Sequence, residues 1–95
     1  MATVHIFDYR TGTQHTLDKD QTRFFQRELT RVKKGQAATK GPREIAPDCR
    51  ISVKSGSKVT TYLLLSRAVL MQARTRKAWQ FYMGLLILEW LHPTP

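Results

Sequence analysis

The segment AWQFYMGLLILEWL, residues 78–91, constrains the fold more than any other: eleven of its fourteen residues are apolar, and Gln80 and Glu89 are its clearly polar members. A helix on a protein surface shows an apolar stripe over about one face, so a segment apolar all round has to be covered on more than one side. It is also shorter than the roughly 20 residues that span a bilayer. The segment therefore reads as a buried core helix shared with a partner. Glu89 inside it then requires either the domain rim or an arginine partner across an interface, because a buried charge needs pairing.

Upstream, Ser66 can cap a helix running from Arg67 through Leu91, and the Ala, Leu, Met, Gln and Arg residues of this stretch favour helix. A third strand over 67–73, followed by a shorter helix, is the alternative. It would set the three cations of RTRK against the positive end of a helix dipole.

The front half alternates differently. TVHIFDY is rich in β-branched and aromatic residues, and Gly12 suits a tight turn, so a hairpin of Thr3–Tyr9 and Thr13–Leu17 is expected. It puts Val4 and Ile6 on one face and His5, Phe7 and Tyr9 on the other. Asp18 with Gln21 three residues later forms an acidic capping box, which starts a helix over Lys19–Lys34 with Phe25, Leu29 and Val32 on its inner face. Residues 35–47 hold two glycines and two prolines without periodicity and read as a basic flexible loop carrying Lys40 and Arg43. In 48–65, Cys49, Ile51 and Val53 alternate with Arg50, Ser52 and Lys54. A three-residue turn, Ser55-Gly56-Ser57, continues that pattern with Val59, Thr61 and Leu63 on the Cys49 face. Arg50, Lys54, Lys58 and Tyr62 then share the other face. The expected architecture is one α+β domain over 1–95. Its small antiparallel sheet of two hairpins packs against two helices in the order ββαββα, with a possible extra strand at 67–73.

Sixteen Lys and Arg against seven Asp and Glu leave a net charge of +9 on 95 residues, which favours polyanionic partners. The cations cluster in three places. Arg23, Arg27, Arg31 and Lys34 form a ridge opposite the apolar face of the first helix. Arg50, Lys54 and Lys58 make a strand face, and Arg74, Arg76 and Lys77 a third group. All ten are candidate phosphate contacts to nucleic acid, DNA or RNA; an acidic protein surface is the competing partner. Trp79, Phe81, Tyr82, Leu86 and Trp90 exceed what a domain this small can cover, so they are expected to join two copies into a homodimer through the C-terminal helix.

Chemistry leaves little trace. The single Cys49 cannot form an intramolecular disulfide, which suits a reducing compartment. MATVHIFDYR lacks the pattern of a secretory signal, so cytoplasmic residence is expected. His5, His15, His92 and Cys49 show no zinc-ligand spacing, and no phosphate-binding glycine loop or dinucleotide fingerprint is present. Neither metal nor cofactor is expected. Cys49 alternates with core residues and reads as a small buried hydrophobe rather than a nucleophile. These features favour a non-enzymatic binding protein. One resemblance bears on this: PDCRISVKSGSKVTTY followed by RTRKAWQFY resembles the C-terminal half of small basic mRNA-cutting toxins of the RelE type. That resemblance implies an endonuclease with Arg74 or Arg76 holding phosphate and Tyr82 as a base-stacking or acid-base residue. The first half departs from the family, with a hairpin and one helix where a helical pair belongs.

Overall fold

A computed structural model describes residues 2–43 and 46–93. Strands β1 (Ala2–Asp8) and β2 (Gln14–Thr16) precede helix α1 (Lys19–Gly35) and the short strand β3 (Thr39–Lys40). Strands β4 (Cys49–Ser55), β5 (Lys58–Leu65), β6 (Val69–Gln72) and β7 (Lys77–Gln80) follow, and helix α2 (Gly84–Leu91) is the last element. The architecture is α+β, but the expected order ββαββα and its two separate hairpins do not hold. All seven strands form one antiparallel sheet in the order β2-β1-β4-β5-β6-β7-β3.

β1 shows why an alternating segment becomes a strand. Val4, Ile6 and Asp8 are buried on one side, while Thr3, His5 and Phe7 lie opposite Lys54, Ser52 and Arg50 of β4 on the other. The turn that follows uses Gly12 at φ 75°, a left-handed conformation that costs glycine nothing. Asp8 tightens it, since its Oδ1 accepts from the Arg10 N–H at 2.8 Å. α1 starts at the expected capping box: Asp18 Oδ1 accepts from the Gln21 N–H at 2.8 Å, and Gln21 Oε1 accepts from the Asp18 N–H at 3.1 Å.

α1 and α2 cover one face of the sheet. Phe25 and Phe81 meet edge to face at 5.8 Å between centroids and are fully buried, as are Val4, Ile6, Ile51, Leu64, Leu70 and Ile87. Burial of this kind is worth about 2–3 kcal/mol for each large side chain. Lys33 pins the far end of α1: its Nζ donates to the Tyr62 hydroxyl at 3.1 Å and lies 5.2 Å from the centroid of Trp79.

Residues 78–91 are not one helix, and the helix expected from Arg67 onward is absent. Strands β6 and β7 replace it, in line with the strand alternative at 67–73, and α2 is eight residues long. β7 is covered on both faces. Trp79 joins the helix-covered core, whereas Ala78 joins a second cluster with Leu65 and Met71 on the opposite face. A strand buried on both sides loses the polar alternation that marks a half-buried one, and its run of apolar residues then reads like a helix. Gly41, just after β3, presses against the Met71 side chain, so the chain leaving β3 supplies part of that second cover. β3 itself falls within 35–47, where the sequence reads as loop; Glu44 and Ile45 lie outside the described residues.

The β4–β5 register also differs from expectation. Ser55 pairs with Lys58, Ile51 with Tyr62 and Cys49 with Leu64, so the turn holds two residues, with Gly56 at φ 63°. One residue fewer in the turn reverses every side chain of β5. Tyr62 is therefore in the core, Val59 lies on the Arg50 face, and Lys58 is on the side opposite Arg50 and Lys54.

Cys49 is fully buried, and burial pushes its thiol up to about 11. We expect no reaction of the native protein with Ellman's reagent at pH 8, and stoichiometric reaction once guanidinium unfolds it. Rapid labelling in native buffer would show the site to be open.

Candidate nucleic-acid interface

The sheet has two unlike halves. From β5 to β7 both faces carry buried apolar side chains, whereas β2, β1, β4 and the start of β5 are covered by helices on one face and present the other to solvent. Basic residues concentrate around this uncovered region and at one end of the sheet.

That end is where β4 turns into β5 and β6 into β7. Antiparallel register brings Lys54 and Lys58 there on the first hairpin, and Arg74, Arg76 and Lys77 there on the second. Lys40 joins them because β3 pairs with β7, setting Lys40 directly beside Lys77. Like charges opposite one another on neighbouring strands repel, so fold stability alone does not account for the pair. From β4 to β3 the row crosses four strand spacings, about 19 Å at the usual 4.8 Å each. Among the described residues, none of these six cations has an acidic partner. Lys58 and Arg74 line the same shallow depression between the two hairpins, and Lys40, Arg76 and Lys77 line the next one. Arg76 holds a left-handed φ of 58°, and its N–H closes the turn on the Gln72 carbonyl at 2.8 Å.

Two of the three expected clusters thus merge, with two qualifications. Arg50 sits four residues from Lys54, about 13 Å along β4, and belongs to a different grouping. Its guanidinium carbon lies 5.2 Å from the centroid of Phe7 and 5.9 Å from that of Tyr9. The helix ridge remains separate as well. Arg23, Arg27, Arg31 and Lys34 are all exposed, but they point away from the sheet on the helix-covered side. Arg31 is held by Glu28 through two hydrogen bonds of 3.0 and 2.6 Å, and Arg27 lies over the Phe24 ring. The ridge therefore offers less free charge than its sequence spacing suggests.

The expected aromatic interface is largely internal. Trp79 and Phe81 are buried in this domain's own core, and Leu86 and Trp90 are half-buried against it, Trp90 edge-on to Phe24. Trp79 and Phe81 are therefore not free to join two copies. Tyr82 is the exception, exposed at 78 %, with Leu85 beside it at 70 %. Glu89 is exposed on α2, so it needs no buried arginine.

Among the described residues, the one cluster that resembles catalytic machinery lies at the opposite end of the sheet. Asp8, the register partner of Cys49, accepts a hydrogen bond at 2.9 Å from His92 Nε2, and Thr11 Oγ1 is 3.5 Å from that same nitrogen. A relay needs the carboxylate and the hydroxyl on different ring nitrogens, so this arrangement does not activate Thr11. The thiol is no better placed, being buried and held in its protonated form. Tyr82 follows the far end of β7 from Arg76, six residues or about 20 Å of extended chain away. Its hydroxyl donates to Gln80 Oε1 at 2.8 Å. The arginine and tyrosine roles implied by the toxin resemblance are not brought to one place.

Comparison with protein-family models, with curated proteins and with solved structures finds no match for this chain. No helix among the described residues is long and apolar enough to cross a membrane.

Proposed function

We propose that this protein is a non-enzymatic nucleic-acid-binding protein that contacts phosphates through the basic end of its sheet. The observation that carries this reading is the gathering of Lys40, Lys54, Lys58, Arg74, Arg76 and Lys77, from β3 and the β4–β5 and β6–β7 hairpins, at one end of the sheet without acidic partners among the described residues. Phosphate contacts of this kind position a nucleic acid without reading its sequence. The partly neutralised ridge of Arg23, Arg27, Arg31 and Lys34 adds long-range attraction and a second, weaker surface. Cytoplasmic residence, with one unpaired thiol, belongs to the same reading.

Fluorescence anisotropy of nuclease-treated protein against labelled oligonucleotides, from low to physiological salt, tests it. With about 0.7 of a counterion released per contact on single strands, the triple variant Lys58→Gln, Arg74→Gln, Lys77→Gln is expected to lower the salt slope by about 2. At physiological salt it should weaken binding by about 50-fold. Neutralising Arg23, Arg27 and Arg31 should cost less, because Arg31 is already paired. Absence of binding at low salt would overturn the proposal and point to an acidic protein partner.

A further inference from the structure

We infer that the uncovered face of β1 and β4 takes single-stranded nucleic acid, with bases stacked on the Phe7, Tyr9 and Arg50 cluster; this rests on the proposed nucleic-acid binding. The cluster is built by register. Phe7 on β1 lies directly opposite Arg50 on β4, and Tyr9, just past the strand end, meets Phe7 edge to face with centroids 5.3 Å apart. Neither ring belongs to either apolar core, and Tyr9 is 45 % exposed. Phe7 is half-buried and Tyr9 exposed, so the two rings stand on an open sheet face beside the Arg50 guanidinium.

Their chemistry suits an unpaired base. Aromatic rings and the planar guanidinium both stack on base faces, and the guanidinium adds positive charge toward the backbone. Arg50 has no acidic partner among the described residues. Lys54, further along the same face of β4, leads from this cluster to the basic row, so one strand of phosphates can follow β4 while its bases turn toward the rings. A duplex cannot present its bases to this face, and binds only through its phosphates. Its bases are reached only inside the grooves, and the major groove is about 12 Å wide. The four strands β2, β1, β4 and β5 span about 14 Å between their outer axes before side chains are counted.

The test compares a single-stranded 12-mer, as RNA and as DNA, with the duplex of the same sequence, against native protein, Tyr9→Ala and Tyr9→Phe. Circular dichroism and a thermal melt check each variant's fold. The native protein is expected to prefer the single strands. Tyr9→Ala should lose about tenfold on them, the scale of one stacked base, while keeping its duplex affinity, and Tyr9→Phe should restore the single-strand affinity. If Tyr9→Ala and Phe7→Leu bind single strands like the native protein while neutralising the basic row still weakens binding, the stacking site is wrong and the phosphate-binding reading stands. If no oligonucleotide binds at low salt, both fall.

Discussion

Replacing Gly84 by alanine is expected to lower the thermal midpoint by about 12–20 °C, equivalent to about 3 kcal/mol in a domain of this size. Helix propensity alone predicts the opposite sign, since alanine within a helix is favoured over glycine by about 1 kcal/mol. Packing outweighs it. A Cβ at position 84 would run into the backbone carbonyl and Cα of Arg67. Arg67 cannot yield easily, because it and Ser66 make the β5–β6 turn with φ of 63° and 52°, both in the left-handed region. That turn is also tied to the start of the α2 segment, as the Phe81 N–H donates to the Ala68 carbonyl at 2.7 Å. The neighbouring Leu85→Ala, at an exposed position, should stay within about 0.5 kcal/mol of the native protein. A midpoint for Gly84→Ala equal to or above the native one would show that the turn and helix do not meet this closely.

Truncating Asp8 to alanine should cost about 3 kcal/mol at pH 7. The carboxylate is 2 % exposed, yet it accepts from the Arg10 N–H and from His92. Removing it leaves those groups without their acceptor, and hydrogen bonds to a charged group are worth about 1.5–3 kcal/mol each. Burial by itself raises the Asp8 pKa, but the hydrogen bonds from His92, Arg10 and Thr11 together overcome it and hold the carboxyl below its ordinary value. A depressed carboxylate contributes stability that is fully present above its unfolded pKa of about 3.9 and is lost as the pH falls through the lower folded value. The stability gap between native protein and Asp8→Ala should therefore narrow below about pH 4. Urea unfolding between pH 2.5 and 7 measures it, and a gap that stays constant across this range would show that the ionised form of Asp8 is not what the fold stabilises.

Much of the first helix was legible in advance. Asp18 and Gln21 form a local capping box, and Phe25, Leu29 and Val32 repeat with helical spacing, so every element of that inference lies within one or two turns of chain. The alternation of Val4 and Ile6 against His5 and Phe7 was equally local, and it already placed Phe7 and Tyr9 on a common face. Their grouping with Arg50 was not visible, because it depends on a strand more than 40 residues later. The misreading of β7 has a different origin. Ala78 and Trp79 are both buried, on opposite faces, and a doubly covered strand carries no periodicity by which to tell it from a buried helix. One residue in the turn at Gly56 was enough to move Lys58 and Tyr62 to the wrong face.

By itself, the sequence determined the excess of positive charge, the capped amphipathic helix, the turn positions at Gly12 and Gly56, and the apolar character of 78–91. Each is a property of composition or of neighbours a few residues apart. The tertiary structure alone decided which cations lie together. Lys40 stands beside Lys77 because β3 crosses to the far edge of the sheet, Lys58 and Arg74 share a depression because their hairpins turn at the same end, and Arg50 is drawn away to Phe7 and Tyr9. Strand order and register are set by the summed burial of both sheet faces, a long-range quantity that no short window of residues contains.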